Sequence, residues 1–359
     1  SDRTSSNPYG IGVKTNRLEG FAKVGYIFKH RAATNWGFQN QVVMHEQSSF
    51  FGLNDYNAKQ FSYYGNLMFQ SWIGDSRNQF TTGLSYALDN FEQDLNDSTY
   101  TRIESVPGVF AQYTYSNKSN LNVIAGVRLD YHNLYGLLFT PRLHAKYNID
   151  EHNIIRASGG RGYRSASVIA ENTSLLATSK HFMFLEELNM ESSWNLGFSY
   201  TSYIEIGGRE LVLTADYFHT QFQNQIIIDR EQNLQTIYVY NLNGVSRSNS
   251  FQIEAFYELF KNFELNLAFR YNDVMTTMAD KFVEKPMVNK YKGLISLSYQ
   301  TPYKKWQFDL NTQFNGDQRL PYTGFYPEEY RLEEYSPAYI IMNAQITRYF
   351  KKWDVYIGG

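Results

Sequence analysis

Charged side chains recur two, four or six residues apart in several short stretches of this chain. AGVRLDYHN carries Arg128 and Asp130, FTPRLHAKYN carries Arg142, His144 and Lys146, and FELNLAFRYND and KWQFDLNTQFNG carry Arg270 and Asp309. Even spacing puts such groups on one face of a strand. There they could hold a partner, line the path of a charged solute or pair with one another; the plainer alternative is a set of hydrated, replaceable residues. A second group mixes aromatic rings with cations. IIRASGGRGYRS holds Arg161, Tyr163 and Arg164, and SKHFMFLEE holds His181 and Phe184 beside Lys180. GDQRLPYTGFYPEEYRLEEY holds Arg319, Tyr322, Tyr326 and Tyr330, with Phe325, Arg331 and Tyr335 nearby. Flat rings stack on apolar or aromatic ligands, and guanidinium forks pair with anions. Packing of loop on loop would use the same residues.

Other chemistries find little support. There are no cysteines, so neither thiolate metal sites nor disulfides are available, and the seven histidines show no H-x-x-x-H spacing. No metal, cofactor or catalytic residue is assigned. GGRGYR lacks the strand–loop–helix setting of a phosphate loop and suits a bend at the end of a strand. A net charge of −2 gives no reason to expect nucleic acid. NDS (96–98) and NTS (172–174) match a glycosylation pattern that an Asn-rich chain produces by chance.

The elements that position these residues are strands. In the first stretch Ala125, Val127, Leu129 and Tyr131 alternate with Gly126, Arg128, Asp130 and His132, and the pattern recurs along the chain. About sixteen strands are expected, near 19–29, 35–46, 59–72, 79–91, 105–116, 120–132, 139–148, 153–160, 190–203, 210–223, 238–259, 263–275, 288–301, 304–316, 337–350 and 353–359. The eight prolines are expected in connections or at strand ends. Short turns alternate with longer loops, the latter near 47–58, 92–104, 133–138, 161–189, 224–237, 276–287 and 317–336. Aromatic residues make up 17% and charged residues 19% of the chain. Strands of this length, an apolar face rich in Tyr, Phe and Trp, and connections sorted by parity describe an all-β, transmembrane antiparallel β-barrel. A soluble sandwich would keep its outer face polar. No run of about 18 apolar residues is present, so a transmembrane helix is excluded while a barrel is not. The chain begins at Ser1 and shows no signal peptide, which reads as a processed protein or a fragment.

Several segments, taken in order, resemble the middle of TonB-dependent outer-membrane receptors. They are FTPRLHAKYN (139–148), IIRASGGRGYRSASVIAEN (154–172), EELNMESSWNLGFSY (186–200), LTADYFHTQFQNQI (213–226), YNLNGVSRSNSFQIEA (240–255) and WDVYIGG (353–359). The resemblance covers the chain from about residue 105 onward. It implies a 22-stranded barrel around a plug, a bacterial outer-membrane location, a segment that contacts the energy-coupling protein TonB, and a small-molecule or metal-chelate ligand. Set on that frame, residues 1–359 are a partial barrel domain beginning at the sixth strand. Residues 1–18 would be the tail of an outside loop, with the plug and the terminal strands missing.

Three expectations follow. Val123, Val127, Leu129, Phe269, Phe308 and Leu310 face lipid, while Arg128, Asp130, Arg142, His144, Arg270, Asp309 and Gln313 face the lumen. The strands near 19–29 and 353–359 lack a neighbour on one side, so the native barrel continues at both ends. Ligand is met by Arg161, Tyr163, Arg164, His181, Phe184, Arg319, Tyr322, Tyr326 and Tyr330 on outside loops. Three functions stay open on the residues: import of a scarce nutrient (ferric siderophore, haem, cobalamin or glycan), a passive porin-like channel, and a barrel-borne enzyme or adhesin.

Overall fold

The computed structural model describes residues 10–31 and 33–359. They build one antiparallel sheet of 17 strands and a separate sheet of three. One member of the large sheet, Lys281–Glu284, only prolongs the tip of Phe263–Met278. The other sixteen form a meander, each paired with the next, from Ile11–Ile27 at one edge to Asp354–Gly358 at the other. Among the described residues those two edge strands pair on one side alone.

Alternation and turn chemistry account for the meander. Gly207 and Gly208, with φ of 60° and 73°, make the two-residue turn that joins Glu191–Ile206 to Arg209–Asn224. At 149–152 Asp150 accepts the backbone N–H groups of His152 and Asn153 and the Asn153 side-chain amide, at 2.7–2.9 Å. Those hydrogen bonds, the Asn153 amide foremost, hold the Asp150 carboxyl below its ordinary range.

Register carries the two faces across the sheet without a break. Lys146 lies opposite Arg156, then Ser199, Asp216, Gln252 and Arg270 on successive strands. The adjacent row is Tyr147, Ile155, Tyr200, Ala215, Ile253 and Phe269. Val127, Leu129, Phe269 and Phe308 are exposed, and nothing among the described residues covers this apolar face. It far exceeds the few hundred Å² of contiguous apolar surface that soluble monomers carry, and it suits hydrocarbon.

The structure corrects several boundaries. The stretches 47–58 and 92–104 are not loops. Asn35–Phe51 runs into Asn54–Ile73, and Asp75–Leu95 into Ser98–Ser116, through tight turns. Here Phe51, Tyr56, Ala58 and Phe91 put apolar residues on the otherwise polar face, so the period persists while its sense inverts. The tail at 1–18 is strand from Ile11, and residues 1–9, with Pro8, lie outside the described residues. The stretch 238–259 is not one strand. Thr236–Asn241 belongs to the small sheet and Ser246–Phe260 to the wall, with Gly244 (φ 135°) at the break. Pro107 and Pro141 stand inside strands, opposite Tyr86 and Val127, each giving up one ladder hydrogen bond.

Candidate functional site

The long connections all leave one end of the sheet, where they fold over one another as a canopy. Val168–Glu171 and the 3-10 turn Thr173–Ala177 lie against the wall, where Ile169 and Leu176 join Phe51, Tyr56, Ala58 and Phe91 in a buried cluster. Polar ties fix the segment. The Asn54 amide donates to the Leu176 carbonyl at 2.8 Å, and Arg102 donates to the Ala166 carbonyl and Ser167 Oγ at 2.7 Å each. Next along the chain, His181–Phe184 pairs in parallel with Thr236–Asn241, which pairs antiparallel with Ile226–Asp229. Ile227, Ile237 and Val239 form the core of this small sheet.

Charged and aromatic groups lock the remaining connections to it. The Lys180 ammonium donates to the Arg230 and Asn233 carbonyls at 3.0 Å and sits 5.7 Å from the Phe325 and Tyr326 ring centres. Arg319 Nη1 donates to Glu231 Oε1 at 3.1 Å and to the Glu284 carbonyl at 3.2 Å, while Nη2 engages Glu231 Oε2. The Tyr240 hydroxyl donates to Asp229 Oδ2 and accepts the Ala279 N–H, both at 3.1 Å. Burial pushes its pKa up to about 12.

The residues expected to meet ligand are divided by this arrangement. The strand Asn153–Arg164 continues past 160, so alternation turns Arg161 and Tyr163 to the apolar face, where the guanidinium stacks 4.7 Å from the tyrosine ring, and Arg164 to the other. They do not form one loop patch. Arg164 is held by Glu191 and Glu171 at 2.6–2.8 Å, and the partly buried Arg319 pairs with Glu231. Both cations have internal partners. His181 is exposed at the edge of the small sheet, and the Phe184 ring lies 6.3 Å from that of Tyr100. Tyr322 and Tyr330 are exposed, and the Tyr326 ring lies 5.1 Å from that of Phe325, tilted by 31°.

On the wall, Arg128, Asp130, Arg142, His144, Arg270 and Asp309 all project from the polar face, as register requires. Arg128 pairs with Asp130 at 2.6 Å and donates to Ser85 Oγ at 2.7 Å. This cluster needs Gly108, where a Cβ would stand 1.9 Å from Asp130 Oδ1. Asp309 accepts from Ser298 and Gln307 at 2.7 and 2.8 Å. His144, Lys146, Arg156, Asp216 and Phe218 line a cavity of about 480 Å³.

Sequence reasoning missed a second cavity, of about 320 Å³, under the canopy on the polar side of the wall. Asn172, Ser174, Gln225, Arg230, Thr276 and Lys285 supply its polar lining. Arg230 follows the apolar run Ile226–Ile228 and Asp229, and only the folding of the connections brings it beside Thr276. Among the described residues no group of three or more His, Asp or Glu side chains could hold a metal ion.

Compared with known proteins, the sequence matches the family model described as TonB dependent receptor-like, beta-barrel, over residues 2–359. No curated protein matches it. Among solved structures it is similar to the copper transporter OprC, at 11% identity and TM-score 0.72, covering 97% of this chain and 60% of that one. It is also similar to the siderophore receptor PiuA from Acinetobacter baumannii, at 11% identity and TM-score 0.67, covering 96% and 60%. For a variant of the ferric enterobactin receptor PfeA from Pseudomonas aeruginosa the values are 12%, 0.60, 100% and 65%. The chain thus spans about three fifths of the length of these structures.

Proposed function

The chain belongs to the TonB-dependent receptor β-barrel family of the bacterial outer membrane, and on that premise we propose that it supplies wall and outer mouth to a receptor that imports a scarce nutrient by energy-coupled transport. What carries the reading is the position of the canopy. Four connections close over the end of a sheet whose one face is mainly polar and whose other face is apolar and uncovered among the described residues. A passive pore has no use for a folded assembly at its mouth that offers exposed rings such as Tyr322 and Tyr330.

In this reading the apolar face meets outer-membrane lipid, and further strands partner the two sheet edges to close a larger barrel, since unpaired backbone is costly in hydrocarbon. A plug within that barrel and a segment that contacts TonB belong to the same proposal. Arg128, Asp130, Arg142, His144, Arg270 and Asp309 line the lumen. His181, Phe184, Tyr322, Tyr326 and Tyr330 meet a small-molecule or metal-chelate ligand, with no chemistry performed on it. Arg164 and Arg319 shape the mouth through their carboxylate partners.

The test is genetic. A strain deleted for the gene is supplied at limiting concentration with ferric siderophores, haem, cobalamin, copper or glycans in turn. Loss of growth on one of them, reproduced by removing TonB from the parent strain, is the expected result. Uptake that survives loss of TonB would overturn energy coupling and favour a passive channel.

A further inference from the structure

The cavity under the canopy is cationic and carries no counter-charge. Arg230 and Lys285 both line it, no carboxylate does, and neither side chain makes an ion pair or hydrogen bond among the described residues. Arg230 is half-buried, and burial lowers its pKa more than the nearby Glu231 and Tyr326 raise it, which marks a guanidinium whose lost hydration is only partly offset. Glu231, Glu284 and Asp229, which adjoin the cavity, are engaged elsewhere. Glu231 is held by Arg319, and Glu284 by Lys290 at 2.7 Å. The Asp229 oxygens take up the Glu231 N–H, the Gln232 amide and the Tyr240 hydroxyl. Lys180, whose ammonium rests on the Arg230 carbonyl, adds a third positive charge bound only to carbonyls and rings.

A second observation comes from the wall. Thr276, on the polar face of Phe263–Met278, is only 3% exposed and lines the same cavity. Its Oγ1 has no hydrogen-bond partner among the described residues. Buried hydroxyls are ordinarily satisfied. Ser174 and the Gln225 amide stand at the same cavity, so donors from the inward-folded segment, the canopy and the wall converge on it. Leu175 and Met278 supply its apolar side.

We propose that this cavity is a binding site for an oxygen anion, the carboxylate or phosphate end of the imported solute, held by Arg230 and Lys285 as counter-charges and by Thr276 as a hydroxyl donor. Two unpaired cations, an orphaned donor and an absence of lining acids are what a compact oxyanion completes, because charge-assisted hydrogen bonds satisfy all of them together. About 320 Å³ admits one such group and the carbons that carry it. The remainder of a larger solute would extend toward the exposed aromatics of the canopy. The inference rests on the import reading for the biological role of the site, and not for the binding itself.

The experiment separates the two. The full-length protein in detergent micelles is titrated calorimetrically, at constant ionic strength, with citrate and separately with inorganic phosphate. Saturable binding of at least one anion is expected, weakened about tenfold or more in R230Q and less in T276V and K285Q. R230K should lie between wild type and R230Q, which separates charge from folding. R17Q, at the exposed Arg17–Glu19 pair, should bind as wild type. Preference for citrate or for phosphate identifies which oxyanion the site takes. Failure of both anions to saturate by about 50 mM, well above the roughly millimolar range of even a weak site, would overturn the site. So would binding in R230Q equal to wild type. Growth phenotypes that survive such a result would leave the import reading standing.

Discussion

Replacing Arg319 with Ala tests whether the canopy is one locked unit. Arg319 and Glu231 are 14% and 11% exposed, and the fork that joins them ties the connection 316–338 to Ile226–Asp229 and its neighbours. Removing the cation leaves the Glu231 carboxylate buried and unpaired, which costs about 3–5 kcal/mol. If that cost falls on local opening of the canopy, its amides exchange about 100-fold to about 4,000-fold faster, at tenfold per 1.4 kcal/mol. The amides to watch are Leu320, bonded to the Glu334 carbonyl, Ser336, bonded to Gln318, and Met287, bonded to the Arg319 carbonyl itself. Hydrogen exchange by mass spectrometry in lipid nanodiscs reads them. Replacing both partners, with R319M and E231L, should return exchange close to wild type, because no buried charge is then left. Exchange in R319A within threefold of wild type would refute the strut and free Arg319 for ligand.

The face assignment predicts that Val127→Arg costs about 2–4 kcal/mol of folding free energy in vesicles and Gln313→Arg much less, as read by urea titration. Gly108→Ala should cost about 1–3 kcal/mol by forcing the Arg128–Asp130 pair apart, since the new Cβ would meet Asp130 Oδ1 at 1.9 Å. Ile237→Ala removes a fully buried side chain from the small sheet; a local loss of about 2–5 kcal/mol should appear as rapid proteolysis of the canopy with the wall intact. Tyr240 has its folded pKa raised to about 12 from 10.0, so its neutral form supports the canopy fully below pH 10, and that support is lost as pH rises through about 12. The wild-type minus Tyr240→Phe difference in tyrosinate absorbance should show one group titrating late.

The wall was legible in the sequence because its physics is local. Val127 and Arg128 announce their faces by alternation alone, and the turn at Asp150 by the reach of one side chain to the next N–H groups. The alternation in Asn35–Phe51 and Ser98–Ser116 also runs to the strand tips. It was misread where Phe51 and Tyr56 put apolar groups on the polar face, because Ile169 and Leu176, more than a hundred residues on, are what cover them. The canopy was illegible for the same reason. Thr236–Asn241 looks like the start of the strand that follows it, and only pairing with His181–Phe184 takes it elsewhere. Residue type alone points Arg164 and Arg319 to a ligand, yet a guanidinium fork is as useful to an internal carboxylate as to a solute. The Arg230 cavity depends on three segments meeting and left no pattern in any one of them.

The central claim is that one face of this sheet meets lipid and the other an aqueous interior. The chain contains no cysteine, so single cysteines can be placed in turn at positions 264 to 271 of Phe263–Met278 and each labelled with an environment-sensitive fluorophore. In vesicles containing a lipid-borne quencher, positions 265, 267, 269 and 271 should be strongly quenched and 264, 266, 268 and 270 weakly. Quenching without that period of two, or with the phases exchanged, would contradict the account.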